Sequence, residues 1–316
     1  MSWICSHCSA KNQDLTGACV LCGVKRPEIE LELEIQTRIA QASGRLQSWV
    51  KETEESSPEH EFDRAMEMIK ADAKSGVQVL LECAQRGNAL AQNEIGTYYL
   101  YGKLVPKDDS KAIMWFDKSA KQGMVLAQYN LGSCYYWGQG VHQHYATAVY
   151  WLQRAAEAGH DRSQNLIGEC YYYGRGVEKS PEKAFYWFRA AADQGYSLAE
   201  YNLGTLYGNG IGVPLNPEKA LELYQRAASH DNPNGINALG NCYFSGRGVE
   251  QDHKKAVEYY RIAANRGLAK AQYSLGYCYE YGFGVVADRK KAIEWYTNAA
   301  SQGYQDAKAA LKRLSA

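Results

Sequence analysis

The pattern of apolar and polar positions repeats every 36 residues along most of the chain. Six copies follow one another without a gap, at residues 89–124, 125–160, 161–196, 197–232, 233–268 and 269–304. A fixed period of about 20 to 50 residues is typical of solenoids, in which each unit buries its apolar face against its neighbours. The sequence therefore predicts one stacked array over residues 89–304.

Each copy begins with a pattern that predicts a first helix, helix A. With position 1 placed at residues 89, 125, 161, 197, 233 and 269, positions 3, 7, 10, 11 and 14 fall on one side of a helix. Position 7 is Ile or Leu and position 11 is Tyr in every copy. Position 8 is always Gly, which costs about 1 kcal/mol against Ala inside a helix. We therefore expect a neighbouring helix to approach closely at position 8.

The second half of each copy predicts an antiparallel partner, helix B. Gly at position 14 suits the left-handed turn that ends helix A, and position 20 carries a good N-capping residue in every copy except at His144. Helix B then buries Ala at positions 24 and 32 and an aromatic residue or Leu at position 27. Gly at position 35 ends helix B except at Asp231, and Pro233 and Gly235 follow. These exceptions predict a weak joint between the fourth and fifth copies.

The N-terminus, residues 1–26, contains two pairs of closely spaced cysteines. Trp3, Asn12 and the four cysteines form the pattern W-x-C-x2-C-x3-N-x6-C-x2-C, whose candidate metal ligands are Cys5, Cys8, Cys19 and Cys22. Four thiolates at this spacing can surround one Zn2+ tetrahedrally and leave no position for a substrate, so the predicted site is structural. The alternative, two disulfides, requires an oxidising compartment.

Three further segments complete the predicted organisation. Residues 27–61 are acidic and predict a helix over about 29–50 followed by a polar linker. Residues 62–88 have helical spacing and resemble the second half of the repeat, which predicts a degenerate cap repeat in which Asp72 begins a helix running to Arg86. Residues 305–316 predict a C-terminal capping helix.

The repeat carries a family resemblance. Its pattern, A-x3-LG-x2-Y-x2-G-x-GV followed by KA-x2-W and AA-x2-G, resembles the Sel-one-like repeat, an α/α relative of the tetratricopeptide repeat. The resemblance implies an all-α superhelical solenoid of helix-turn-helix units. It also implies an adaptor or scaffold, as in signalling and protein quality control.

The cysteine-rich segment resembles the Ran-binding-protein type of zinc finger, which implies a small β-hairpin fold around one zinc ion. Members of that family bind ubiquitin through a Thr-Phe pair, where this chain has Ser9 and Ala10. Other members bind single-stranded RNA with an aromatic residue and paired arginines, which residues 13–16 lack. A reader of ubiquitin or RNA stays an alternative, although this chain lacks the anchor residues of both kinds of member. The other interpretation is a generic docking module.

Charge and hydropathy narrow the possible partners. Lys+Arg and Asp+Glu both number 35, and a neutral chain gives no field that attracts nucleic acid or a membrane surface in general. No run of 18 apolar residues predicts a membrane span. The first residues lack a basic segment followed by an apolar one, so we expect no secretory signal and a cytoplasmic protein.

Residues that could carry catalysis are scarce. Cys134, Cys170, Cys242 and Cys278 all occupy position 10 on the predicted buried face, where cysteine is a small core residue. Cysteine-rich bacterial members of the repeat family, some linked to penicillin binding, have two cysteines per repeat, whereas this chain has at most one. A β-lactam hydrolase is therefore a remote alternative, and we expect no enzymatic activity.

The predicted binding surface is the side of helix A opposite its buried face. Positions 2, 5, 9, 12 and 13 lie there, and in related solenoids helix A lines the concave groove. Position 5 alternates between Asn and Tyr, and positions 12 and 13 are rich in aromatics, which suit a site for a protein or peptide. The alternative is that these side chains only pack between repeats. The candidate residues are Asn93, Tyr101, Tyr129, Tyr136, Trp137, Asn165, Tyr172, Tyr173, Tyr201, Asn237, Phe244, Tyr273 and Tyr281.

Overall fold

A computed structural model describes residues 3–4, 11–12 and 57–315, and the chain divides into two units, residues 1–88 and residues 89–316. The four candidate zinc ligands lie outside the described residues, as does the helix predicted over 29–50. Both the zinc site and that helix stay predictions.

The first unit contains a pair of short strands and a pair of helices. Strands β1 (Trp3–Ile4) and β2 (Lys11–Asn12) are antiparallel, with Trp3 opposite Asn12. Helix α1 (Pro58–Ala71) is followed by α2 (Ala73–Gln85), and Asp72 alone joins them. Asp72 caps α2 by accepting a hydrogen bond from the Lys74 N–H at 3.2 Å, so the predicted cap is confirmed. The assignment of residues 62–88 as a degenerate repeat stays a prediction.

The second unit is a solenoid of helix pairs. Helix A of each repeat covers positions 1–13 and helix B covers positions 21–33. The helices are α3 (Ala89–Tyr101), α4 (Asp109–Lys121), α5 (Val125–Trp137), α6 (Tyr145–Glu157), α7 (Asp161–Tyr173), α8 (Pro181–Asp193), α9 (Ser197–Asn209), α10 (Pro217–Ser229), α11 (Pro233–Ser245), α12 (His253–Asn265), α13 (Ala269–Tyr281), α14 (Arg289–Ser301) and α15 (Gln305–Ser315). None of the helices in the described ranges is long and apolar enough to span a bilayer.

The predicted helix ends are confirmed. Gly at position 14 is left-handed in all six repeats, with φ between 66° and 77°. The position-20 side chain caps helix B in every repeat. His144, the predicted exception, also caps its helix, because its Nδ1 accepts a hydrogen bond from the Thr147 N–H at 3.2 Å.

The glycine at position 8 allows helix A to lie directly on helix B of the same repeat. A Cβ built on Gly168 would stand 2.6 Å from the Phe188 ring, and the other five position-8 glycines face the position-28 side chain in the same way. The predicted close approach is therefore confirmed, and the contact is internal to each repeat. The large side chain at position 28 of helix B is buried in all six repeats, whereas the side chain at position 27 is only partly buried in four of them.

The prediction that position 11 lies on the buried face is confirmed only in part. The tyrosine at position 11 is half-buried in every repeat and packs against the edge of the core. Five of these rings carry the position-23 lysine of helix B, whose Nζ lies 5.0 to 5.4 Å from the ring centroid. Position 11 lies at the edge of the buried face, and the lysine ammonium stays in water while it contacts the ring.

The joint between the fourth and fifth repeats has the irregular backbone that its sequence suggests. Asp231 adopts φ 63°, a left-handed backbone conformation that is unfavourable for every residue except Gly. Arg266, the residue that follows helix α12, makes an ion pair with the Asp231 carboxylate, and Asn232 caps α11 by accepting from the Asn234 and Gly235 N–H groups. These contacts offset part of the cost, and whether the joint is weak stays a prediction.

Candidate protein-binding surface

The last residue of helix A, at position 13, is an exposed aromatic in four repeats. Tyr101, Trp137, Tyr173 and Tyr281 are between 48% and 72% exposed, and we call these four side chains the aromatic stripe. Position 13 is Asn209 in the fourth repeat and Ser245 in the fifth. The stripe therefore runs along one edge of helix A and is interrupted at two adjacent repeats.

A second group of predicted residues is half-buried because its rings pack against the array. The Tyr129 ring lies 4.7 Å from the His160 ring, and the Tyr273 ring lies 5.4 Å from the Tyr304 ring, measured between centroids. Each of these rings is only partly exposed, so replacing it would also remove packing contacts within the array. This group consists of Tyr129, Tyr172, Tyr201, Phe244 and Tyr273.

Four predicted surface residues lie inside the array. Tyr136 is fully buried, and its hydroxyl accepts a hydrogen bond from Arg175 Nη1 at 2.5 Å and donates to Glu169 Oε2 at 3.4 Å. The position-5 asparagines Asn93, Asn165 and Asn237 are buried as well. Tyr136 and these asparagines therefore present almost no surface, and the candidate surface narrows to the exposed and half-buried residues.

The buried asparagines take part in a pairing between repeats that the sequence analysis missed. Asn130 donates from Nδ2 to Asn93 Oδ1 at 2.9 Å, and Asn202 donates in the same way to Asn165 Oδ1 at 2.9 Å. Each pair joins position 5 of one repeat to position 6 of the next. The alternation of Asn and Tyr at position 5 was visible in the sequence, and Asn at position 6 of the following repeat was the signal that explains it.

A polar cavity of about 200 Å³ lies beside the stripe between helices α7 and α9. Tyr172 and Tyr173 line it together with Glu169, whose pKa is raised because the carboxyl group is buried. Asn165 Nδ2 donates a hydrogen bond to Glu169 Oε1 at 3.0 Å, which holds the carboxyl group in place. The surface thus combines exposed rings with small polar recesses.

The described residues offer little for catalysis or metal binding. Burial raises the pKa of the Cys134, Cys170 and Cys278 thiols to about 12, so these groups stay protonated and unreactive near neutral pH. Cys242 is also buried and free, as predicted for position 10. In the described ranges, no cluster of three or more His, Cys, Asp or Glu residues could hold a metal ion.

Comparisons with known proteins agree with this architecture. The family described as Sel1 repeat matches residues 89–124, 125–160, 161–196, 197–232, 233–268 and 269–304, the same boundaries as the period in the sequence. No curated protein matches the chain.

Two solved structures resemble most of the chain. A Sel1 repeat protein from Oxalobacter formigenes is 30% identical with a TM-score of 0.70, and the match covers 75% of this chain and 95% of that protein. A protective antigen present in uropathogenic Escherichia coli strains, which displays an SLR fold, is 30% identical with a TM-score of 0.69. That match covers 85% of this chain but only 59% of the antigen, so the chain is similar to just part of it.

The family match over six consecutive repeats and the two structural matches support the same conclusion. The chain belongs to the Sel1 repeat family.

Proposed function

We propose that the chain is an interaction scaffold that binds an extended segment of a protein or peptide along the helix A surface of residues 89–304. Sel1 repeat proteins generally serve as protein–protein interaction scaffolds and are generally not enzymes. The location of the binding surface within the array is our proposal.

The aromatic stripe is the observation that carries this proposal. Its four side chains project from the same position of their repeats and remain 48% to 72% exposed. Tyr and Trp offer large contact areas at a low cost in conformational entropy, and they are enriched among residues that dominate binding energy. A partner that runs across several repeats would contact one ring after another.

The double substitution Trp137→Ala with Tyr173→Ala tests the surface. We expect capture of the partner to fall about tenfold, equivalent to about 1.4 kcal/mol. Both side chains are exposed, so the melting temperature should change little. The immobilised full chain and the variant are exposed to the same cell lysate, and the captured proteins are quantified by mass spectrometry.

The chain provides a matched control on helix B. Tyr150 and Tyr186 are 54% and 63% exposed, and they occupy equivalent positions of consecutive repeats on α6 and α8. Tyr150→Ala with Tyr186→Ala removes similar aromatic area from the other helix. An equal loss of capture in both double variants would mean that the helix A surface is not the specific site.

We also propose that residues 1–26 hold one structural Zn2+ through Cys5, Cys8, Cys19 and Cys22 and serve as a second docking module. The support is the cysteine spacing and the resemblance to the Ran-binding-protein type of finger. Such a short segment buries too little apolar surface to fold alone, so the metal would supply its folding free energy. Two linked sites would gain avidity from their effective concentration.

Cys19→Ser tests the zinc proposal. We expect the full-length protein to contain one equivalent of zinc and the variant to contain none, because three thiolates hold the metal much more weakly than four. The helical circular dichroism of the array should persist. Cys242→Ser is the control, since Cys242 belongs to the helical core and its replacement should leave the zinc content unchanged. Zinc-free wild-type protein with these four cysteines oxidised would favour the disulfide alternative.

A further inference from the structure

A pocket of about 260 Å³ opens on the helix A surface between α9 and α11, where the aromatic stripe is interrupted. Position 12 of the fourth repeat is Gly208, whereas Tyr136, Tyr172 and Phe244 occupy this position in other repeats. A Cβ on Gly208 would already stand 3.3 Å from the Ala220 Cβ and 3.4 Å from the Tyr224 hydroxyl. The pocket therefore exists because the fourth repeat lacks a position-12 side chain.

One wall of the pocket contains a buried acceptor without a donor. Asn237 is only 4% exposed, and its Oδ1 has no hydrogen-bond partner. The equivalent oxygens of Asn93 and Asn165 each accept from an asparagine at position 6 of the next repeat. Leaving a buried acceptor unpaired costs free energy. A ligand that donates to Asn237 Oδ1 would therefore supply the hydrogen bond that an asparagine supplies in the other two repeats.

The missing donor has a simple cause. The residue at position 6 of the sixth repeat is Ser274, and its hydroxyl donates to the Lys270 carbonyl oxygen at 3.1 Å. The short serine side chain therefore serves its own helix and leaves Asn237 Oδ1 unpaired.

The charge around the pocket is positive. Arg247 and Lys270 line it, and none of the other residues that line it is acidic. Arg247 is held at the pocket because its Nη2 donates to the Gly208 carbonyl oxygen. Burial raises the pKa of Tyr224 to about 12, so this wall stays neutral and adds no negative charge. The lining thus suits an anionic group that lies next to an N–H donor.

We propose that this pocket binds the C-terminal residue of the partner peptide, with the carboxylate at Arg247 and Lys270 and the last amide N–H donating to Asn237 Oδ1. This inference rests on the proposed function, because it assigns one end of the bound peptide to a place on the helix A surface. Asn241 completes the site: Tyr260 donates to its Oδ1 at 2.8 Å, which directs its amide nitrogen to act as a donor.

The position of the acceptor favours a chain end over an internal acidic residue. Asn237 is buried, so the donor must enter the pocket to reach it. A chain end enters with one backbone strand, whereas an internal residue needs room for the chain to enter and to leave. The volume is below the roughly 300 to 1,000 Å³ of sites that enclose a drug-sized ligand, which fits a single terminal residue.

Two random-sequence libraries of short N-acetylated peptides test the proposal, one with a free carboxyl terminus and one amidated. The immobilised full-length protein captures each library, and mass spectrometry quantifies the bound peptides. We expect about tenfold more capture of the free-carboxyl library, and weaker capture at higher salt concentration. Equal capture of both libraries, or capture of neither, would overturn the proposal, as would selective capture of amidated peptides that contain internal Asp or Glu.

Two variants of the pocket sharpen the test. Ser274→Asn restores the position-6 donor that pairs with asparagine elsewhere, so we expect the preference for free carboxyl termini to disappear while the melting temperature stays the same or rises. Lys270→Gln should reduce both the preference and its dependence on salt. Lys254→Gln, which changes an exposed lysine on helix B, is the control and should bind as the wild type does.

The Trp137→Ala/Tyr173→Ala variant separates this inference from the proposed function. If this variant loses peptide capture and the wild type shows no preference for free carboxyl termini, the scaffold surface is supported and the pocket is rejected. A carboxyl preference that depends on Lys270 but not on the aromatic stripe would support the pocket and reject the stripe. If Ser274→Asn keeps the full preference, Asn237 is not the acceptor and the proposal fails.

Discussion

Gly284→Ala is expected to lower the free energy of unfolding of the array by about 3 kcal/mol. Gly284 has φ 71°, and a left-handed backbone costs an L-residue about 1 to 2 kcal/mol. An added Cβ would also stand 2.4 Å from the His253 carbonyl carbon and 2.8 Å from the Lys254 nitrogen. These are backbone atoms at the start of α12, so no side-chain rotation can relieve the overlap, and overpacking adds about 1 to 3 kcal/mol.

Gly303→Ala separates the two contributions. Gly303 has φ 88°, but nothing lies within 4 Å of its built Cβ. Its replacement should cost only the backbone term, about 1 kcal/mol. Urea denaturation of both variants, followed by helical circular dichroism, gives the comparison. If the two substitutions lower the urea midpoint equally, the overlap of the added Cβ with the neighbouring repeat contributes nothing to the destabilisation by Gly284→Ala.

Gly284 also shows what the sequence could and could not predict. The sequence predicts that Gly at position 14 forms the left-handed turn that ends helix A, and this prediction is confirmed. Position 16 is Gly in repeats 2 to 6, and there the glycine lets the loop touch the start of helix B of the preceding repeat, as Gly176 touches the Tyr145 backbone. That contact depends on how repeats stack, which the pattern within one repeat does not contain.

The helical pattern predicted the centre of each buried face better than its edges. Position 7, position 10 and the position-8 glycine lie where the period places them, because any partner helix must cover the middle of the face. At the edges, burial depends on the side chains that neighbouring helices supply. Asn93 is buried because Asn130 of the next repeat reaches it, and Tyr99 is half-buried with Lys111 of its own repeat over the ring.

Glu200→Ala is expected to destabilise the array by about 3 kcal/mol. The Glu200 side chain is fully buried, and its Oε1 accepts from Arg226 Nε at 3.1 Å while its Oε2 lies 3.0 Å from His230 Nδ1. Removing one partner of a buried ion pair typically costs about 3 to 5 kcal/mol. The effect should fall at the lower end, since Arg226 and His230 are 42% and 49% exposed and water can solvate them after the loss.

Other repeats supply the control for this site. In the third repeat, Gln194 donates from Nε2 to Gln164 Oε1 at 2.8 Å, and these residues occupy the positions of His230 and Glu200. Glu200→Gln alone should cost about 2 kcal/mol, because it removes charge-assisted hydrogen bonds. Adding His230→Gln recreates the glutamine pair and should restore part of the lost stability.

The double-mutant cycle decides whether the carboxylate and the histidine act together. Urea denaturation of the wild type, Glu200→Gln, His230→Gln and the double variant gives the coupling free energy, and residues in contact typically couple by about 0.5 to 3 kcal/mol. We expect the double variant to be more stable than the sum of the single effects predicts. Additive effects would mean that Glu200 depends on Arg226 alone, whose Nη2 also donates to the Ala192 carbonyl oxygen at 2.8 Å. In that case Arg226 would connect α10 both to the start of α9 and to the end of α8, and the histidine would not be coupled to the Glu200 carboxylate.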